Sequence, residues 1–125
     1  GLSTPAVYGE LDRLRAESVL PEPRVSDSLM SALRAGDAVA LGAALANDLQ
    51  RAAVSLRPGL AMTLDVGDEY GALGALVSGS GPTCAFLARD DEHALDLAVA
   101  LTASGTCRTV MSAVGPVGGA RVVDQ

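Results

Sequence analysis

A stretch of small residues in the second half of the chain could bind an anion through its backbone. It reads Ser78-Gly79-Ser80-Gly81-Pro82-Thr83. Glycine permits positive φ, so backbone N–H groups can turn toward one point and leave room for a bulky group such as a phosphate. The stretch lacks the lysine and following helix of a P-loop and the GxGxxG spacing of a dinucleotide site. A plain hairpin turn would explain the same residues, so both interpretations stay open; the Ser80 and Thr83 hydroxyls are the better candidates for polar contacts.

Other reactive side chains form no recognisable constellation in the sequence. His93 stands near a predicted helix start without a nucleophile or base pattern around it, and we expect a solvated helix residue. The acidic runs Asp68-Glu69 and Asp90-Asp91-Glu92 flank predicted helix ends. Cys84 and Cys107 fall in predicted strands without a CxxC spacing, so we expect thiols rather than a disulfide. Because soft ligands are so few, we expect no metal site.

The elements that must position the small-residue stretch begin with helices. Ser3 can cap a helix with Pro5 in its first turn, and apolar residues then recur at helical spacing. Four helices are predicted before residue 72: one from about Pro5 to Ala16, a short one capped by Ser26 or Asp27 and ended by Gly36, one from Asp37 to near Ser55, and one from Pro58 to Gly71.

After the fourth helix the pattern changes to short apolar runs separated by turn residues. The runs predict antiparallel strands over Ala72 to Ser78 and Thr83 to Ala88, then a helix capped by Asp90 or Asp91 and ended by Gly105, a strand over Thr106 to Val114, and a short edge strand over Ala120 to Val123. This order predicts an α+β fold with a ferredoxin-like antiparallel sheet covered by helices. A helix cap at the third residue suggests that the first strand of such a sheet is missing from this chain.

Composition limits the function classes. The 125 residues suit one domain, with 49% hydrophobic residues and a net charge of -6. The basic residues form no cluster and the chain holds three aromatic residues, so we expect no nucleic-acid partner. Neither a membrane span nor a signal peptide is recognisable, and we expect a cytoplasmic protein without a membrane partner.

Two segments carry a resemblance to a known family. The run from Val77 to Thr83, followed by an apolar strand, resembles the third conserved motif of the GHMP kinases, which lies in their C-terminal domain. The opening from Gly1 to Tyr8 resembles the segment after the interdomain crossover in members that act on a cytidine diphosphate alcohol. The similarity extends from Gly1 to about Asp124. We therefore interpret residues 1–125 as a GHMP kinase C-terminal domain and a fragment of a longer kinase.

The resemblance implies an activity as well as a fold. It implies phosphoryl transfer from ATP, with Mg²⁺, to the C2 hydroxyl of the sugar-alcohol part of the substrate, in non-mevalonate isoprenoid biosynthesis. The family's catalytic Asp and Lys and its ATP loop belong to the N-terminal domain, which is the implied partner. We expect the fragment alone to bind no cofactor and to be inactive, since phosphoryl transfer depends on positioning and charge stabilisation around the γ-phosphate.

The resemblance also implies roles for particular residues. Tyr8 would stack on the cytosine ring, although an amphipathic tyrosine at the edge of the core would look the same in sequence. Thr4 would contact substrate, or would only help to cap the helix. The loop from Ser78 through Gly79, Ser80, Gly81 and Pro82 to Thr83 would help to hold the triphosphate and the reacting end of the substrate, or would only fix strand register.

Two other functions remain open on the sequence. The chain could be a stand-alone ferredoxin-like ligand-binding or regulatory module, complete at Gly1. It could also belong to a GHMP kinase with a different small-molecule substrate, such as homoserine or mevalonate. In that case Tyr8 would have no base to stack on.

Overall fold

A computed structural model describes residues 2–19 and 22–123 of the chain. Gly1 and Asp124, where the family resemblance was drawn to begin and end, lie outside the described residues. The elements in chain order are α1 Thr4–Glu17, α2 Asp27–Ala35, α3 Ala38–Ala44, α4 Gln50–Leu56, α5 Gly59–Glu69, β1 Gly74–Val77, β2 Cys84–Leu87 and α6 Asp91–Ser104. No helix of the described part is both long and apolar enough to cross a membrane.

Side-chain caps begin four of the six helices in the described residues. Ser3, Ser26, Asp37 and Asp90 each accept a hydrogen bond from the backbone N–H three residues further on. These bonds satisfy donors that a helix start otherwise leaves unpaired. The predicted start of α1 and the glycine stops at Gly36 and Gly105 are confirmed, because both glycines adopt the left-handed conformation.

The core lies between helices and one face of a β-hairpin. Strands β1 and β2 pair antiparallel, with Val77 opposite Cys84 next to the connecting loop. The largest buried cluster draws on α1, α4, α5 and β1; its members are Val7, Leu11, Leu14, Ala52, Ala53, Leu60 and Val77. A two-stranded hairpin is marginal alone in water, so this helical cover supplies much of its stability. The predicted α+β class, an antiparallel sheet covered by helices, is confirmed.

One predicted helix is divided in two. The pattern from Asp37 to Ser55 predicted a single helix, whereas α3 ends at Ala44 and α4 begins at Gln50. The side chain of Asn47 donates hydrogen bonds to backbone carbonyls of the hairpin instead of pointing to solvent. Asn and Asp side chains compete with the helical backbone for hydrogen bonds. Here the hairpin carbonyls bind the Asn47 side chain, and the helix is interrupted at this point.

The last two predicted strands are wrong. Residues 106–123 form neither helix nor strand, and side chains from Met111 to Val123 are exposed. The alternating apolar pattern of this segment is typical of a strand with one buried face. A strand also needs a neighbouring strand for its backbone hydrogen bonds. Within the described residues the sheet contains β1 and β2 alone, and no third strand lies beside them. This part of the chain therefore contributes a two-stranded antiparallel sheet.

The expectation for His93 is also wrong. Its side chain is 4% exposed and joins three elements. Nδ1 accepts a hydrogen bond from the Arg89 backbone N–H at 3.0 Å, so Nε2 carries the proton and donates to the Tyr70 carbonyl at 3.0 Å. The histidine thus connects the start of α6 to the ends of β2 and α5, and its role is structural.

A surface ion-pair group fastens α1 to α4. Arg13 forms ion pairs with Glu10 and Glu17, and Ser55 of α4 donates a hydrogen bond to the Glu10 carboxylate at 3.2 Å. The hydrogen bond from Arg13 holds the pKa of Glu10 below its usual value. Arg13 and Glu17 are solvent-exposed, so the buried apolar contacts between α1 and α4 contribute more to stability than the charges do.

Candidate functional site at the glycine-rich hairpin

The hairpin loop, residues 78–83, connects β1 to β2 and closes on itself. Ser78 N–H donates to the Thr83 carbonyl at 2.7 Å, and Gly81 N–H donates to the Ser78 carbonyl at 3.0 Å. Gly79 and Gly81 have φ of 55° and 77°, in the left-handed region that favours glycine. The turn therefore depends on both glycines.

Three backbone donors of the loop remain available. Among the described residues, the N–H groups of Gly79, Ser80 and Thr83 have no hydrogen-bond partner. Backbone N–H groups in a tight turn are suited to an anion such as a phosphate. Pro82 lacks an N–H and the other two donors close the turn, so these three are the groups that the loop can offer.

The start of α1 lies against the loop. Thr4 Oγ1 and Ser80 Oγ are hydrogen-bonded at 3.0 Å, although the residues are 76 positions apart in sequence. A Cβ placed on Gly81 would lie 3.3 Å from Leu2 Cδ1, which shows how closely this end of the chain covers the loop. Two segments singled out in the sequence for separate reasons are therefore in contact.

Tyr8 lies one helical turn beyond Thr4, and its side chain is 53% exposed. Residues four apart on a helix are neighbours on one face, so Tyr8 continues the surface that begins with Thr4 and Ser80. Its exposure leaves the ring free to stack on a ligand. Val7, by contrast, is fully buried and anchors the helix, so the core does not require Tyr8.

Two residues that hold the loop were not singled out from the sequence. Asn47 Nδ2 donates to the carbonyls of Val77 and Gly79, and Gln50 Oε1 accepts from the Val77 N–H. The signal that could have revealed them is Asn47-Asp48, two weak helix formers in an otherwise strongly helical run. Beside them, an open groove of about 480 Å³ is lined by Leu45, Ala46, Asn47, Gln50, Arg51, Val54 and Ala75.

The cysteine next to the loop is not a reactive group. Burial, with Cys107 nearby, raises the pKa of the Cys84 thiol above its ordinary value, so the thiol stays protonated at neutral pH. The structure holds Cys84 and Cys107 as free thiols. In residues 2–19 and 22–123, moreover, no three His, Cys, Asp or Glu side chains are grouped to hold a metal ion. What this site offers to a ligand is backbone N–H groups, hydroxyls and an aromatic ring.

Comparisons with known proteins agree with the two sequence motifs. Residues 29–107 match the family model described as GHMP kinases C terminal. The chain is 61% identical over 123 residues to the 4-diphosphocytidyl-2-C-methyl-D-erythritol kinase of Thermobifida fusca strain YX, covering 98% of this chain and 39% of that protein.

Two further relatives carry the same name. The kinase of Streptomyces avermitilis is 60% identical over 98% of this chain and 41% of its own length. That of Mycolicibacterium smegmatis is 54% identical over 98% of this chain and 39% of its own length. The chain thus spans about two fifths of the curated relatives that it matches.

Proposed function

Because the chain belongs to the GHMP kinase family, as a C-terminal domain, we propose that it is the substrate-side part of a 4-diphosphocytidyl-2-C-methyl-D-erythritol kinase. Such an enzyme transfers the γ-phosphoryl group of ATP to the 2-hydroxyl of its cytidine-bearing substrate, in non-mevalonate isoprenoid biosynthesis. The shared name of relatives more than half identical to the chain supports the substrate. The partner is the N-terminal ATP-binding domain of the same kinase, and we propose a cytoplasmic location because the reaction consumes ATP.

The contact between Thr4 and Ser80 is the geometric observation that carries this proposal. It sets a surface able to bind phosphate beside a helix that presents an exposed aromatic ring. A cytidine diphosphate alcohol needs both, since its base can stack on a ring while its phosphates and reacting end lie near backbone donors. In this arrangement Tyr8 contacts the cytosine, Thr4 contacts the substrate, and the loop from Ser78 to Thr83 lies on the phosphate side.

The described residues fit part of the ATP site. Three free N–H groups at the loop suit a phosphate, whereas the part of the chain that the structure describes holds no group of three carboxylates that could bind Mg²⁺. ATP with Mg²⁺ supplies the phosphoryl group when bound, and the catalytic residues lie in the N-terminal domain. This chain contributes substrate orientation and loop N–H groups, which lower the barrier only when both parts act together.

Substitution of Tyr8 tests the substrate assignment in the full-length kinase. Tyr8→Ala should raise the KM for the cytidine substrate about 5- to 150-fold, the equivalent of a stacking contribution of about 1–3 kcal/mol. The KM for ATP should not change, and Tyr8→Phe should retain the wild-type KM because the ring is kept. Steady-state kinetics with each substrate varied in turn measure both constants.

Tyr70 provides the matched control for this test, because it is 54% exposed but lies at the end of α5. Tyr70→Ala should leave both KM values at the wild-type level. An unchanged KM for the cytidine substrate in Tyr8→Ala would remove the stacking role. If the wild-type kinase phosphorylates homoserine or mevalonate but not the cytidine substrate, the substrate assignment is wrong.

A further inference from the structure

We infer that Asn47 is a positioning residue that holds the hairpin loop, residues 78–83, so that the Ser80 N–H faces the phosphate side of the reaction. The effect of Asn47 on catalysis rests on the proposed function, whereas its effect on the conformation of the loop does not. Asn47 lies in the connection between α3 and α4, outside both sequence motifs.

The amide orientation of Asn47 is fixed by three hydrogen bonds. Nδ2 donates to the Val77 carbonyl at 2.6 Å and to the Gly79 carbonyl at 2.8 Å, while Oδ1 accepts from the Leu49 N–H at 3.1 Å. Exchanging the oxygen and nitrogen would place oxygen against two carbonyl oxygens and NH₂ against an N–H. One orientation therefore satisfies all three partners.

Gln50, the first residue of α4, binds the same end of β1. Its Oε1 accepts from the Val77 N–H at 2.9 Å, so both backbone polar groups of Val77 are bound by side chains of the α3–α4 region. Val77 is fully buried, and a buried backbone group without a partner would be costly. The end of β1, where the loop begins, is thus fixed to the α3–α4 region.

The bond to Gly79 also decides where the next donor points. The Gly79 carbonyl and the Ser80 N–H belong to one peptide plane, and in a trans peptide these two groups point in opposite directions. Because the Gly79 carbonyl points toward Asn47, the Ser80 N–H points away from Asn47. That N–H has no partner among the described residues, and the Ser80 hydroxyl beside it contacts Thr4.

The substitution Asn47→Asp in the full-length kinase tests this inference with little change of shape. It keeps the acceptor for Leu49 but replaces the donor with an oxygen that repels the carbonyls of Val77 and Gly79. We expect kcat to fall about 100-fold, as displacement of a positioned group by about 1 Å can cause. The KM for the cytidine substrate should change by much less than kcat, because the stacking of Tyr8 on the base is kept. Asp48→Asn, at the exposed neighbouring position, is the control and should behave as wild type.

Hydrogen exchange read by mass spectrometry supplies a measurement that does not need activity. In Asn47→Asp the N–H groups of Ser78 and Gly81, which close the loop, should exchange faster than in wild type, and exchange in α6 should not change. If Asn47→Asp does not fold, Asn47→Ala should give the same changes in smaller degree, since water can replace the lost donor.

The outcomes separate the two proposals. Unchanged exchange in the loop would overturn the positioning role, and so would faster exchange with an unchanged kcat. If the wild-type kinase is inactive on the cytidine substrate, the proposed function fails, while the exchange data still decide whether Asn47 fixes the loop. Faster loop exchange together with a lower kcat and a much smaller change in the KM for the cytidine substrate would support the inference.

Discussion

The two left-handed glycines of the hairpin loop lie in different surroundings. Around Gly79 no heavy atom lies within 4 Å of an added Cβ, whereas at Gly81 an added Cβ would lie 3.1 Å from Val77 Cγ1 and 3.3 Å from Leu2 Cδ1. Gly79 is therefore required by backbone conformation alone. Gly81 is required by its backbone conformation and also because Val77 and Leu2 leave little room for a Cβ.

This difference predicts unequal costs of substitution by alanine. Gly79→Ala should lower the free energy of unfolding by about 1–2 kcal/mol, the cost of a left-handed residue that carries a Cβ. Gly81→Ala should cost at least about 1 kcal/mol more, because crowding is added to strain. Urea unfolding of both variants measures the difference. Equal losses would mean that the loop moves away from Val77 and Leu2 at little cost.

Sequence reasoning identified the loop but not what holds it. Its glycines could be chosen from residue types and local spacing, because turns are decided within a few residues. Thr4 and Tyr8 were chosen through the family resemblance. The Asn47-Asp48 pair could have indicated a break in the helical run, but not the partners of Asn47, since these lie 30 and 32 residues away. The burial of His93 was missed for the same reason, as two other elements supply its partners.

At the scale of elements, a close crossing of α3 over β1 sets the position of the hairpin. Gly42 of α3 and Gly74 of β1 are in backbone contact, and a Cβ at Gly42 would overlap the carbonyl group of Leu73. A helix can approach a strand this closely only where neither carries a side chain. The crossing brings the α3–α4 connection, with Asn47, alongside the end of β1.

Alanine at this crossing should therefore destabilise the fold. Gly42→Ala should cost about 1–3 kcal/mol, because the methyl group meets backbone atoms that cannot rotate away. Gly9→Ala in α1 is the control, since its added Cβ meets nothing within 4 Å. That change should stabilise the protein by up to about 1 kcal/mol through helix propensity. Thermal unfolding of the two variants should show a lower Tm for Gly42→Ala and a higher Tm for Gly9→Ala than for wild type. A Gly42→Ala protein as stable as wild type would contradict the close crossing.

At the scale of the whole molecule, helices account for most of the order in the described chain. The starts of α1, α2, α3 and α6 and the ends of α2 and α6 followed from caps and glycine stops, which are local signals. The strands predicted at 106–114 and 120–123 failed because pairing is a property of two strands, and apolar alternation specifies only one of them. Exposed valines at 114, 117, 122 and 123 are the visible result.

Limited proteolysis should reveal this arrangement. Arg108 and Arg121 lie exposed in the irregular segment 106–123, whereas Arg13 and Arg34 lie in helices. Trypsin should therefore cut after Arg108 and Arg121, and after Arg24 in the irregular segment 22–26, before it cuts in the helices, because cleavage needs an extended, accessible backbone. A time course analysed by mass spectrometry gives the order of cuts. Early cleavage in α1 or α2, with 108–121 protected, would contradict the irregular conformation.

The burial of α1 has a consequence for how the chain matures on the ribosome. Val7 is enclosed together with Ala52, Ala53, Leu60 and Val77, the last of which is 70 residues further along. Translation at about 5–20 residues per second leaves a delay of about 4–14 s before Val77 is made. During that interval the apolar stripe of the nascent helix lacks its contact with Val77, so part of it stays accessible to a chaperone until the hairpin is made.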